Sequence, residues 1–307
     1  MGGRTSAGKL AARRKMREAV PKSARHAAHF RLYWWVGKIK VMSGGVDRLK
    51  LGMIGLDTSH VVAFTELLND PDHPYHVPGG KVVIAYPGGS PDFDLSASRV
   101  EGFTAQLRDK FGVAIADSPE AVAEASDAVL LESVDGRVHL EQFRRIVKYR
   151  KPVFIDKPLA VSAKDADEIY RLAREHGVPV MSSSSLRYAE ALTEALRDDA
   201  LGALIGADVF GPMNLVPTQP GLFWYGIHMA DMLFASMGED CVEVRAVKTE
   251  QHDAAVGVWA DGRIGTLRGN RCGNSRFGAV LHREKGSVFV DVYANPKPYY
   301  ASLLERV

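Results

Sequence analysis

Cysteine is scarce: Cys241 and Cys272 are the only two in 307 residues, too few for a disulfide framework and outside any metal-ligand spacing. A reducing compartment, the cytoplasm, and no metal site are therefore expected. No stretch of 18 consecutive apolar residues occurs, which argues against a spanning helix and a membrane partner. Internal repeats and low-complexity tracts are also missing. What remains is ordinary globular material, 46% hydrophobic and 25% charged, with 29 Gly and 15 Pro, long enough for about two domains.

The formal net charge of +2 hides an asymmetry. Residues 1–41 hold eleven Lys/Arg against Glu18 alone, a charge of +10, which leaves −8 on the remainder. A secretory signal needs an apolar core, and the longest apolar run in this segment is Leu32 to Val36. Residues 1–47 are accordingly set apart as a basic extension, expected to be a disordered tail or an over-extended start before Met42, with an Arg-rich transit peptide as the other reading. The acidic body has no basic stripe, so a nucleic-acid partner is not expected.

From Leu49 onward, apolar runs alternate with helical patterns, as in βα units around a parallel sheet. The runs are 49–56, 81–86, 113–116, 128–132, 152–156 and 178–182. Capping boxes at Ser98–Glu101 and Ser162–Asp165 mark two helix starts, closed by Gly112 and Gly177. After about residue 203 strand-like stretches dominate, with Asp261-Gly262 as a hairpin turn. The expected fold is α/β: a Rossmann-type doubly wound parallel sheet over 48–183, followed over 184–307 by an α+β domain with a large, mostly antiparallel open sheet.

The first strand ends in Gly55-Leu-Asp57-Thr58-Ser59-His60 and enters a helix, the place where a dinucleotide fold turns its backbone N–H groups toward a pyrophosphate. Against the G-x-G-x-x-G pattern only Gly55 survives; Asp57 and His60 occupy the other two glycine positions. Thr58 and Ser59 are candidate helix caps and phosphate donors, and Asp57 would put a negative charge near a phosphate unless it faces away or caps the helix itself. No carboxylate ends the second strand at Tyr86-Pro-Gly-Gly-Ser90, so NAD and NADP both remain open. The fifth strand delivers Asp156-Lys157-Pro158 to the crevice where open α/β sheets bind ligands. A lysine there is placed to donate to a substrate oxygen or carry its proton; the plainer reading is a turn lysine paired with Asp156.

At this point the chain resembles the glucose-fructose oxidoreductase/inositol dehydrogenase (Gfo/Idh/MocA-like) family, which carries Glu-Lys-Pro where this chain has Asp156-Lys157-Pro158. The resemblance runs from about Lys50 to the end. It implies that Glu132 and Ser133 form a cofactor-contacting loop, that His139 follows it on the cofactor side, and that Arg187 matches an arginine behind the sixth strand. It also implies a catalytic His228, although the family's aspartate four positions earlier is replaced by Trp224. Tyr225 is a candidate to replace part of that polar function and Asp231 to orient His228. Family members continue past Tyr299–Val307 with helix that packs on the nucleotide domain. That packing is expected to be supplied differently here, or the chain is a truncated product.

The resemblance thus implies an NAD- or NADP-dependent oxidoreductase moving a hydride to or from a polyol or sugar-like carbon, with Lys157, His228 and Tyr225 catalytic, and a homo-oligomer. A non-catalytic dinucleotide- or sugar-binding protein and NAD(P)-assisted glycoside cleavage are the alternatives. Deleting residues 1–41 is expected to leave turnover unchanged, which a comparison of rates for the full and shortened chains checks.

Overall fold

The computed structural model describes residues 48–307; the basic extension expected over 1–47 lies outside them. The first sheet is fully parallel, formed by β1 (Leu49–Ile54), β2 (Gly80–Tyr86), β3 (Ala114–Ile115), β4 (Ala128–Leu131), β5 (Val153–Ile155) and β6 (Val180–Met181) in the order β3-β2-β1-β4-β5-β6. Successive strand residues feed opposite faces, as the pleat requires. Met53, Leu130 and Phe154 face a core with Phe64 and Leu67 of α1 (His60–Asn69) and Leu107 of α2 (Val100–Phe111). Ile54, Leu131 and Ile155 face a second core built from Val122 of α3 (Pro119–Ala125), Phe143 of α4 (His139–Ile146) and Ile169 of α5 (Ala163–His176). The doubly wound reading of the sequence is met. The third and sixth strands are two residues each, shorter than their apolar runs, because only those residues find a ladder partner at the sheet edges.

The second sheet runs β12-β11-β7-β10-β9-β8, from β7 (Leu204–Pro212), β8 (Cys241–Lys248), β9 (His252–Trp259), β10 (Ile264–Asn270), β11 (Gly278–Arg283) and β12 (Gly286–Asp291). Only the β7–β10 pair is parallel. Asp261-Gly262 makes the β9–β10 hairpin, with Gly262 at φ +92°. One face packs against α6 (Glu190–Arg197) and α7 (Ile227–Met237) through Leu192, Met229, Met232 and Leu233. The other leaves Phe289, Val247, Ile264 and Val256 exposed.

The last helix, α8 (Tyr299–Leu304), returns to the first domain, where Ala301, Leu303 and Leu304 join the core of α1 and α2. The chain itself therefore places helix against the nucleotide-type half. Among the described residues no helix is long and apolar enough to cross a membrane.

One expected helix start is corrected. Ser98 lies in helical conformation, φ −77° and ψ −13°, at the end of a preceding turn over Asp94–Ala97, so its hydroxyl is not placed to cap α2. Ser162 is extended, and its Oγ accepts the Asp165 N–H while donating to the Asp165 carboxylate. Ser162→Ala should lower stability by about 0.5–2 kcal/mol, and Ser98→Ala by less than about 0.5 kcal/mol, both read from urea unfolding.

Candidate functional site

The site lies along the carboxyl edge of the parallel sheet, where β1, β4 and β5 end side by side. Gly55 turns the chain at φ +87°. A Cβ there would sit 2.2 Å from Ser133 Oγ and 2.5 Å from the Ser133 backbone, so the β1 turn and the β4 loop interlock only with glycine. The next residues are fixed from within. Leu56 N–H donates to Pro87 O at 2.7 Å. The buried Asp57 carboxylate accepts the Val134 N–H at 2.8 Å and the Ser96 hydroxyl at 2.6 Å, tying together three loops. Burial nevertheless raises its pKa, outweighing these bonds.

Asp57 therefore faces away from the end of α1. Ser59 occupies the N-cap position without a side-chain cap bond, its side chain exposed, and Thr58 Oγ1 accepts only a long 3.4 Å bond from His60 N–H. The first N–H groups of α1 and the Ser59 hydroxyl are thus available to an anion, and the carboxylate that would repel one is turned aside. On these observations the residues present fit a dinucleotide pyrophosphate.

At the end of β4, Glu132 is fully buried and neither carboxylate oxygen has a hydrogen-bond partner. Burial, reinforced by neighbouring Asp156, pushes its pKa well above the usual carboxylate range. Ser133 donates to Gln142 at 2.9 Å. His139 has no exposed surface, and its ring nitrogens lie 2.9 Å from Pro158 O and 2.7 Å from Ser133 O. This corrects the expectation of a cofactor-side contact: His139 braces the β4 and β5 loops against each other.

At the end of β5, Asp156 Oδ1 accepts the Lys157 N–H at 2.8 Å while Oδ2 lies 2.7 Å from His60 Nδ1. Burial raises the Asp156 pKa, but the charges of His60 and Lys157 and the contact with His60 bring it below its ordinary value. The Lys157–Pro158 bond is cis. Burial lowers the Lys157 pKa against the opposing pull of Asp156 and Glu132. The plain ion pair with Asp156 is not formed: among the described residues no carboxylate lies within 4.0 Å of Lys157 Nζ, which instead sits 5.5 Å from the centre of the Trp224 ring.

The second domain completes the crevice. A π-helical turn, Leu222–Gly226, carries Trp224 and Tyr225 and leads into α7. Trp224 is buried against Phe93 and Val134. Tyr225 lies between His228 and Phe277, with ring centres 5.7 and 6.4 Å away. His228 is buried; desolvation and then the Lys157 charge push its pKa well down, so it is neutral near pH 7. Its Nδ1 lies 2.7 Å from Ser184 Oγ. Asp231 does not orient it: that carboxylate pairs with Arg187 and accepts from Ser183 Oγ and Ser184 N–H.

Three features escaped the sequence. Ser184 as partner of His228 was hidden in a run of four serines. Tyr300 of α8 packs on the His60 ring at 4.8 Å. Arg137 grips Asp92 and Asp135, while Gln219 of the second domain bonds Asp135 at 2.7 Å. Burial raises the Asp135 pKa, but these hydrogen bonds hold it down at about 2.

Residues 93–184 match the family described as "Oxidoreductase family, NAD-binding Rossmann fold" (GFO_IDH_MocA). The chain is 27% identical over 198 residues to a 1,5-anhydro-D-fructose reductase of Ensifer adhaerens, covering 59% of each. It is 30% identical over 168 residues to an inositol 2-dehydrogenase of Mycolicibacterium gilvum, covering 50% of this chain and 47% of that one. The chain thus spans about half to three-fifths of these relatives. Among solved structures, the apo scyllo-inositol dehydrogenase of Lactobacillus casei superposes with a TM-score of 0.67 at 14% identity, over 85% of this chain and 87% of that one, a likeness of fold.

Asp57→Ala should cost about 2–4 kcal/mol, because Val134 N–H and Ser96 lose a buried acceptor. The folded-state pKa of Asp57 is raised, so its contribution is full at acid pH and shrinks as pH rises through that value. The loss should be larger at pH 4 than at pH 7 in paired urea titrations.

Proposed function

We propose, from the match of residues 93–184 to the NAD-binding Rossmann oxidoreductases of the Gfo/Idh/MocA family, that this chain is a nicotinamide-dependent dehydrogenase or reductase acting on a carbinol carbon of a polyol or sugar-like substrate. The observation that carries this reading is the placing of Lys157 at the end of β5 with its Nζ 5.5 Å from the centre of the Trp224 ring, in the π-helical turn that runs into α7 and the buried His228. A bound nicotinamide would supply the hydride chemistry at the substrate carbon.

The chain's own groups handle the proton and the alignment. Neutral Lys157 takes the hydroxyl proton as the alcohol becomes a carbonyl, and the ammonium returns it in the reverse direction. Burial favours the neutral amine needed for oxidation. His228 is held by Ser184 and stays neutral, so its second nitrogen is suited to position a substrate hydroxyl. Tyr225 stands beside it as a further polar contact. Trp224 brings no charge where the family has an aspartate, so Lys157 works over an aromatic face.

On the cofactor side, Gly55 sets the turn, Thr58, Ser59 and the N–H groups of α1 receive the pyrophosphate, and the loop at Ser133 lies beside Lys157. Glu132, Asp156 and Pro158 shape the wall behind. The β2 end at Tyr86-Pro-Gly-Gly carries no acid, and Asp92 beyond it is committed to Arg137. NADP therefore remains a match alongside NAD. Exposed Phe289, Ile264, Val256 and Val247 on one face of the second sheet support a homo-oligomer assembled there.

Calorimetry with NAD⁺, NADH, NADP⁺ and NADPH should find one pair that binds, and failure of all four with folded protein would sink the reading. With that cofactor and a polyol or sugar screen, Lys157→Ala should reduce kcat by roughly 10²–10⁴-fold while cofactor affinity stays largely intact. An undiminished rate would remove Lys157 from the chemistry.

A further inference from the structure

His60 at the start of α1, Glu132 at the end of β4 and Asp156 at the end of β5 offer three ligand atoms that all lie within 4.8 Å of one another. We propose that these residues form a binding site for one divalent transition cation of the Zn²⁺ or Mn²⁺ kind, at the carboxyl edge of the sheet.

The unmet bonding of these groups supports the site. His60 Nδ1 and both Glu132 oxygens are buried without a hydrogen-bond partner. His60 Nδ1 lies 2.7 Å from Asp156 Oδ2, so the two already face each other, and the Glu132 carboxylate is the group left wholly without a partner. Neighbouring donors that converge on one ion about 2.1 Å away sit about 3–4 Å from each other, so His60 Nδ1 and Asp156 Oδ2 would part slightly from their 2.7 Å contact to share it. A fully buried carboxyl with no partner is costly, and a cation bound by two carboxylates would offset that cost. Lys157, the nearest ammonium, makes no ion pair with either acid.

The surrounding contacts hold the ligands in place. Asp156 is oriented by the Lys157 N–H through its other oxygen. The His60 ring is fixed between Phe64, at 5.5 Å, and Tyr300, at 4.8 Å. The His60 side chain keeps 12% of its surface exposed, which gives an ion a way in. One imidazole with two carboxylates suits Zn²⁺ or Mn²⁺ better than Mg²⁺, which prefers an oxygen shell and retains its waters. Three protein ligands would leave coordination positions for water or another oxygen ligand. The site stands independently of the cofactor reading, since none of its bonds requires a dinucleotide.

The test is calorimetric titration of the full chain, stripped with EDTA, with Zn²⁺ alone and with Mn²⁺ alone, and Mn²⁺ paramagnetic resonance as a second readout. One equivalent should bind, with Glu132→Gln weakening it at least about 100-fold and Asp156→Asn comparably. A Zn²⁺- or Mn²⁺-dependent rise in Tm should appear in the parent and vanish in Glu132→Gln. Absence of binding by the parent chain would overturn the proposal even if the variants failed to fold. Binding of equal strength in Glu132→Gln would also overturn it, by placing the ion elsewhere.

Discussion

The carboxylate of Asp57, which never reaches solvent, joins the β1 turn to the β4 loop through Val134 N–H and to the loop after β2 through Ser96. Three strands of a parallel sheet end near one another by topology alone, but their loops would otherwise be free to diverge. With Asp57 in place they converge, and everything the edge presents depends on that convergence: the free N–H groups of α1, the buried Glu132, and the direction in which β5 delivers Asp156 and Lys157. A glycine at position 57 would leave room for a ligand and would lose this tie.

The second domain acts on the same edge from above. Gln219 bonds Asp135, and Trp224 packs on Phe93 and Val134 with the Lys157 ammonium 5.5 Å from its ring centre. Each contact joins the parallel-sheet half to Gln219 or to the π-helical turn. The catalytic pair proposed here has one member on each side of that junction. Relative movement of the two sheets would therefore change its reactivity and its geometry together.

Much of the fold was legible in the sequence because hydrophobic periodicity and turn residues are local. Six apolar runs became six parallel strands, Gly177 closed its helix, and Asp261-Gly262 made its hairpin. Ser98 misled because the pattern of a capping box does not reveal whether the preceding residues already form a helical turn. In the candidate site, strand–turn context singled out Lys157, whereas the bonds of the Asp57 carboxylate to Val134 and Ser96 join distant loops that no local pattern reveals. His139 looked like a contact residue but is consumed by two carbonyls. The pairing of Ser184 with His228 and the grouping of His60, Glu132 and Asp156 could not be read, since each joins residues from distant strand ends with no spacing to betray them.

The fit at Gly55 has a consequence for how this chain can vary over evolutionary time. The atoms a side chain there would strike include the Cα and N of Ser133, not only its hydroxyl. No replacement at position 133 makes room, not even glycine, because those backbone atoms remain. Position 55 is thus closed to compensatory change from its nearest neighbour. Other residues at 57 and 60 would forfeit the contacts made there, but a lineage that loses Gly55 must move a whole loop.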